Sequence, residues 1–277
     1  MGELEEKAIH RPTGQVDCVE TGEIAFIEYV STYDYTMKVL CLILASDTAP
    51  EHVQFQALWR RFMHKHPNVD CYFYKAHPDL RESIFLEDRT LWIRMNDTFE
   101  TVYEKTLRAF EYFLPKLNGY DFVYRSNLST FVSFDHMLQF CNDLPRKECC
   151  AAVIGGIEPG ETDRHSLKHP YSFPGGNGFL LSPDLVRRLV EEKEPLDHQD
   201  DVTIGNALRR WKIPIREFAR IDYQDNAVWF VNNMHVLKDG QMNGSPQKTM
   251  FSYRLKTSDR KQDVLAMDML IRNVYAV

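Results

Sequence analysis

Two adjacent carboxylates offer the clearest chemistry in this chain. In Asp197-His-Gln-Asp-Asp-Val-Thr-Ile-Gly205, Asp200 and Asp201 stand at the start of a predicted helix. An ionised carboxylate can accept a proton from an attacking hydroxyl, so either residue is a candidate general base. Asp is also a preferred N-cap and suits the positive end of a helix, which gives at least one of the pair a structural use.

Three further groups of residues could bind a ligand. Tyr120-Asp-Phe-Val-Tyr-Arg-Ser-Asn-Leu-Ser-Thr-Phe-Val-Ser133 reads as a strand ending at Arg125, followed by polar Ser126, Asn127, Ser129 and Thr130. Open α/β sheets bind ligands beyond the carboxyl ends of their strands. An ordinary strand-to-helix turn capped by Ser133 explains the same residues. In Pro174-Gly-Gly-Asn-Gly178, the glycines at 175, 176 and 178 allow a backbone to approach a ligand closely. They match no phosphate-loop template, and taken alone they read as a flexible turn before a strand. His235, Lys238, Arg254, Lys256 and Arg260 form a basic C-terminal run that could hold a diphosphate or simply face solvent.

The elements that must position these residues alternate between strand and helix, the pattern of an α/β domain. Val39–Ala45 reads as a strand buried on both faces, and Asp47 as the cap of a helix with Pro50 and Glu51 in its first turn. Strands are expected at Asp70–Tyr74 and, as a sheet edge, Thr90–Arg94. A long helix is expected over Asp97–Pro115, capped by Asp97, with Phe99, Val102, Thr106, Phe110 and Phe113 as its apolar stripe. A helix follows at Phe134–Cys141. Strands at Glu148–Ile154 and Gly178–Leu181 flank a long polar loop. Helices are expected after Ser182-Pro183, from Asp201, and over Asp259–Arg272, with strands near Val228–Val231 and Met250–Leu255. Residues 1–36 read as an N-terminal arm, in which Ile24–Val30 could join a sheet edge, and 37–277 as one domain.

Bulk properties narrow the partners. The 277 residues carry a net charge of -7, which gives no general attraction to nucleic acid or anionic membrane. Any anionic ligand therefore needs a local basic cluster. No apolar run is long enough to span a bilayer, and the first fifteen residues are too charged for a signal peptide, so a soluble, intracellular protein is expected. The six cysteines fit no zinc spacing and read as buried free thiols.

The order of these motifs resembles the GT-A glycosyltransferases, in particular the inverting β-1,3-glycosyltransferase and fringe group. Asp97–Val132 is similar to that group's helix, strand and metal-binding acidic motif. Tyr171–Leu189 resembles its glycine-rich acceptor loop and strand, and Asp200-Asp201-Val202 with Gly205 resembles its acidic helix start. The wording Arg-Ser-Asn-Leu-Ser-Thr-Phe and Leu-Ile-Leu-Ala-Ser-Asp-Thr also resembles small glycosyltransferases of large algal DNA viruses, among them a xylosyltransferase. The likeness covers about residues 38–256.

The resemblance implies a Rossmann-like GT-A domain with a mixed central sheet flanked by helices. It implies transfer of a sugar from a nucleotide-diphosphate donor, such as UDP-xylose, to a glycan or glycoprotein hydroxyl. Asp201 or Asp200 would be the base. Ala45, Ser46, Asp47, Arg125, Ser126, Asn127, Ser129, His235, Arg254 and Lys256 would bind the donor, and Gly175, Gly176 and Asn177 the acceptor. A cytoplasmic setting is expected, that of the host for a viral enzyme. The family's paired metal-binding acids fall on Asn127 and Ser129, so the expectation is either no required cofactor or a Mn²⁺ or Mg²⁺ ion held without carboxylates there. A sugar nucleotidyltransferase would need a glycine-rich basic signature after the first strand, which Ser46-Asp-Thr-Ala-Pro50 lacks. A non-catalytic carbohydrate-binding relative would keep the pocket and lose the base, whereas the acidic pair is intact.

Overall fold

Six consecutive apolar residues form β1 (Val39–Leu44), a strand paired on both edges. β2 (Val69–Ala76) and β5 (Phe122–Asn127) run parallel on either side of it. β4 (Thr90–Ile93) is parallel to β2, and β3 (Ile84–Glu87) closes that edge in antiparallel pairing. Beyond β5 lie β8 (Tyr171–Leu181) and β7 (Cys150–Ile157), each antiparallel to its predecessor, then β9 (Ile215–Glu217) parallel to β7. The sheet order is thus β3-β4-β2-β1-β5-β8-β7-β9. A smaller sheet sets β11 (Ser252–Leu255) between β10 (Arg220–Tyr223) and β6 (Thr130–Val132).

The computed structural model describes residues 37–157, 171–195, 199–218, 220–223 and 251–277. Helices cover both faces of the large sheet, as successive residues of β2 show. Tyr72 packs at a tilt against Phe113 of α2 (Val102–Phe113), with ring centroids 4.9 Å apart. Phe73 points the other way, under the Arg60 guanidinium of α1 (Pro50–Phe62). α2 packs with α4 (Pro183–Glu192) and α5 (Asp200–Arg210). α1 packs with α6 (Arg260–Tyr275), and Phe62, Phe131, Phe134 and Tyr275 form an aromatic cluster that joins α1, β6, α3 (Phe134–Asn142) and α6. The fold is the expected α/β arrangement with a mixed sheet flanked by helices.

Several local expectations are corrected. Asp47 does not cap α1; Ala49 takes that position, and Asp47 instead accepts from Lys75 and Gln56. Asp97 does not cap α2, which begins three residues after Phe99 and has Thr101 as its N-cap; Asp97 pairs with Lys105. Phe99 therefore lies outside the apolar stripe and is 60% exposed. Thr90–Ile93 is not an edge, because β3 covers it. The glycine segment at 175–178 is not a loop but the middle of β8. The last helix, expected over Asp259–Arg272, runs from Arg260 to Tyr275 and is capped by Asp259, which accepts from the backbone N–H groups of Lys261 and Gln262. The five described cysteines are buried free thiols. The expected strand near Val228–Val231 and the arm at 1–36 lie outside the described residues.

Candidate active site

The carboxyl ends of β1 and β5 lie side by side, with Leu44 in register with Asn127. The turn after β5 is fixed by two backbone contacts. Trp59 Nε1 donates to the Leu128 carbonyl (2.9 Å), and Leu255 N–H donates to the Ser129 carbonyl (2.8 Å). Thr130 Oγ1 donates to the Asn177 carbonyl (2.8 Å), which ties the turn to β8.

Arg125, near the end of β5, points into this junction and is 2% exposed. Its guanidinium reaches the end of its own strand and two separate segments. Nη2 lies 2.6 Å from Asp200 Oδ2 on α5. Nη1 donates to Asn127 Oδ1 (2.7 Å) and to the Gly176 carbonyl of β8. Thr106 Oγ1 of α2 also donates to Asp200 Oδ2 (3.3 Å), and Tyr74 Oη of β2 meets Thr106 Oγ1 at 3.1 Å. Asp200 is thus committed to protein partners.

Asp201 is placed differently. It is 7% exposed, and its Oδ1 accepts from Val202 N–H at 2.8 Å. Burial first, and then the charge of Asp200, push its carboxyl up to about 6, against the pull of Arg125 and the backbone N–H groups of Val202 and Gly176. Helix α5 can come this close to β8 only across glycines. A Cβ on Gly176 would lie 2.5 Å from Asp201 Oδ2, and one on Gly205 would lie 2.6 Å from Phe173 Cβ. Asp201 and Gly205 are four apart, hence on one helix face, and both meet β8.

At the end of β1 the expected donor residues are engaged with one another. Ala45 is buried, and its carbonyl accepts from Lys105 Nζ (3.4 Å). Ser46 Oγ lies 2.9 Å from Thr48 Oγ1, and Asp47 Oδ2 lies 2.6 Å from Lys75 Nζ, which sits over the Trp92 ring. On β11, Tyr253 and Leu255 are buried, whereas Arg254 is half-buried and Lys256, just past the strand, is exposed. Arg254 is in register with Thr130, so both side chains share the face on which Thr130 meets Asn177. Among the described residues neither Arg254 nor Lys256 has a carboxylate partner. Partial burial, then the like charges of Arg254 and Arg260, lower the affinity of Lys256 for its proton. His235 lies outside the described residues.

The residues at 127 and 129 do not fit a divalent cation. Neither is an anion, and Asn127 has its amide oxygen turned onto a guanidinium, which would repel a metal ion placed there. Among the described residues no group of three or more His, Cys, Asp or Glu is placed to hold a metal.

The structure therefore brings together Arg125, Asn127, Gly176, Asp200 and Asp201, with Asn177 and Thr130 at the rim. Thr106 and Tyr74 also belong to this cluster and were not singled out as site residues. Thr106 fell inside an apolar helical stripe, where a threonine carries no signal of its own.

No family model matches the chain. Human N-acetyllactosaminide β-1,3-N-acetylglucosaminyltransferase 2 is 26% identical over 153 residues, 48% of this chain and 38% of that protein. Both solved structures below carry glycosyltransferase names. A galactosyltransferase, LgtC, in complex with donor and acceptor sugar analogs is 12% identical, with 86% of this chain and 96% of that one covered and a TM-score of 0.43. A glycosyltransferase involved in glycosylation of the major capsid of PBCV-1 is 9% identical, with 83% and 99% covered and the same TM-score. The chain thus spans about two fifths of the curated relative's length. No described helix is long and apolar enough to cross a membrane.

Proposed function

We propose that this protein is an inverting glycosyltransferase that moves a sugar from a nucleotide-diphosphate donor to a glycan hydroxyl, with Asp201 as general base. The observation that carries this reading is the unequal pair of carboxylates at the carboxyl end of the sheet. Asp200 is held by Arg125 and Thr106. Asp201, beside it, has no cation paired with its own oxygens among the described residues and is pushed up to about 6. At neutral pH Asp201 is mostly ionised yet more basic than an ordinary Asp, the condition a general base requires. The human relative's name, a β-1,3-N-acetylglucosaminyltransferase, agrees with this reading.

In this reaction the acceptor oxygen bonds to the anomeric carbon as its proton passes to Asp201. The bond from that carbon to the diphosphate oxygen breaks on the opposite face, and the nucleoside diphosphate leaves with the electron pair. Gly175, Gly176 and Asn177 border the acceptor. Ser126, Asn127 and Ser129 border the donor. Because arginine has donors only, Asn127 must turn its oxygen to Arg125, which leaves its Nδ2 to donate to a ligand oxygen. Arg254 and Lys256 offset the diphosphate charge, and no divalent cation is required. The setting is cytoplasmic, and UDP-sugars, UDP-xylose among them, are the donors to try first.

A thermal-shift panel of nucleoside diphosphates and nucleotide sugars, with and without Mn²⁺, tests the reading. Ligand at 100 times its Kd stabilises by about 2.7 kcal/mol, a readable shift. A panel in which no nucleotide or nucleotide sugar raises Tm would sink it.

A further inference from the structure

We propose that Arg125 is a positioning residue, which selects Asp201 over its neighbour Asp200 as the basic carboxylate and locks the turn at Asn127 and the strand at Gly176 around it. The inference rests on the sugar-transfer reading for its purpose, but its geometry and its test do not.

One guanidinium ties its own strand end at Asn127 to two segments remote in sequence, at Gly176 and Asp200. Nη2 faces Asp200 at 2.6 Å, while Nη1 faces Asn127 Oδ1 at 2.7 Å and the Gly176 carbonyl. A planar fork with fixed donor directions can hold three acceptors at set angles, which a lysine ammonium cannot do as rigidly. Arg125 makes no contact with the Asp201 carboxylate as close as its contact with Asp200. It therefore neutralises one carboxylate of the pair and leaves the other electrostatically exposed to it. Gly176, whose carbonyl Arg125 holds, also presents its backbone N–H to Asp201. The same contact thus sets the position of Asp201 as well as its charge environment.

Among the described residues few groups face Asp201. On its own helix they are Asp200 and the Val202 N–H; from β5, Arg125; from β8, the Gly176 N–H. Behind Asp200 stand Thr106, Tyr74 and Lys105, the last paired with Asp97. Among the described residues Asp200 and Arg125 are thus the two nearby charges, of opposite sign, and each can be removed without adding a new one.

The test follows the Asp201 carboxyl carbon by NMR in protein labelled with ¹³C-aspartate, assigned through Asp201→Asn. It needs neither donor nor acceptor, so its result is separate from the thermal-shift panel. Wild type should titrate near pH 6. Arg125→Gln removes a pull towards ionisation, so the midpoint should rise by about one pH unit. Asp200→Asn removes the repulsion and leaves the guanidinium charge uncancelled, so the midpoint should fall by about as much. Asp200→Asn keeps size and an acceptor oxygen for Arg125, so it decides the matter if Arg125→Gln does not fold. A residue with a merely structural role would change stability and leave the midpoint in place. A folded variant of either kind whose Asp201 titrates as in wild type overturns the proposal, as does a wild-type midpoint near 4.

Discussion

Arg125 Nη2 stands 2.6 Å from Asp200 Oδ2, and both side chains are almost wholly closed to water. Such a pair contributes little net stability, because desolvation of both charges offsets their attraction. Its value is specificity of placement, here the junction of β5, β8 and α5. Breaking it from one side is another matter. Arg125→Met should destabilise by about 3–5 kcal/mol, since it strands a buried carboxylate. Arg125→Met with Asp200→Leu should recover most of that loss. Urea midpoints of the single and double variants give the comparison, and a double variant no better than the single would refute the pair as the cause.

Asp201→Asn should cut turnover by about 10²-fold or more while donor affinity, read by calorimetry, survives. In wild type the rate should fall as pH drops through about 6, where Asp201 takes up its proton. The same group makes a stability prediction of the opposite kind. Its folded pKa lies above the ordinary 3.8, so between those values the folded state binds more protons than the unfolded one. Stability contributed by the protonated form is therefore present at low pH and lost as pH rises through about 6. The ionised carboxylate costs the fold roughly 3 kcal/mol above that point, on the order of two pKa units. Asp201→Asn should thus raise Tm at pH 8 and raise it less at pH 5. Equal gains at both would disconnect the effect from ionisation.

Gly176→Ala should act through Asp201. The added methyl would lie 2.5 Å from Asp201 Oδ2, so the carboxylate must move. Overpacking of this kind costs about 1–3 kcal/mol. Turnover should fall about tenfold or more, since a misplacement near 1 Å can cost 10²-fold. A variant with wild-type turnover would show that Asp201 is not held where the chemistry happens.

The sequence made some of this site legible and hid the rest for identifiable reasons. Asp200 and Asp201 stood out because two adjacent carboxylates at a helix start are unusual, and β1 was plain because a doubly buried strand is apolar throughout. Arg125 was read as a ligand-facing cation, since its partners Asp200 and Gly176 lie 75 and 51 residues away and no local pattern links them. The first part of β8, up to Asn177, reads as a glycine-rich loop before a strand at Gly178–Leu181, because glycine normally weakens strands. Here Gly176 is tolerated, and needed, because α5 comes within reach of its missing side chain. The misplaced starts of α1 and α2 share a cause. Asp47 and Asp97 are good cap residues by type, but each is taken by a lysine, Lys75 and Lys105 respectively.

Removal of divalent cations should leave sugar transfer largely intact. The basis is the amide oxygen of Asn127 turned onto Arg125, together with Leu128 and Ser129 in place of further acids. Asn127→Asp tests the same point from the other side. A carboxylate there adds negative charge beside the donor diphosphate and removes an N–H donor, so nucleoside diphosphate affinity in EDTA should fall by about tenfold, roughly one charge-assisted hydrogen bond. Activity abolished by EDTA and restored by Mn²⁺ or Mg²⁺ would show that a metal site exists elsewhere and would end this reading.

The diphosphate charge must then be met by side chains, and the net charge of -7 makes that requirement local. On the proposed reading Arg254 and Lys256 are the residues to meet it. They are two apart, so they leave the strand on one side while Tyr253 and Leu255 are buried on the other. The register of Arg254 with Thr130 sets it on the face where Thr130 touches Asn177, next to the segment held by Arg125. Arg260 is less available, since it pairs with Asp263 and donates to the Leu255 carbonyl. Like charges around Lys256 lower its proton affinity, and a bound anion would relieve them. Arg254→Ala should therefore weaken UDP binding by about 1.5–3 kcal/mol, the range for hydrogen bonds to a charged group. Its Tm without ligand should change little, because Arg254 has no carboxylate partner among the described residues to leave stranded. Lys256→Ala should lose less, being exposed and screened by water. Calorimetry with UDP at two salt concentrations separates these outcomes: the Arg254 contribution should shrink as ionic strength rises. Unchanged UDP affinity in both variants would remove β11 from the donor site and pass the neutralising role to groups outside the described residues or to a metal ion.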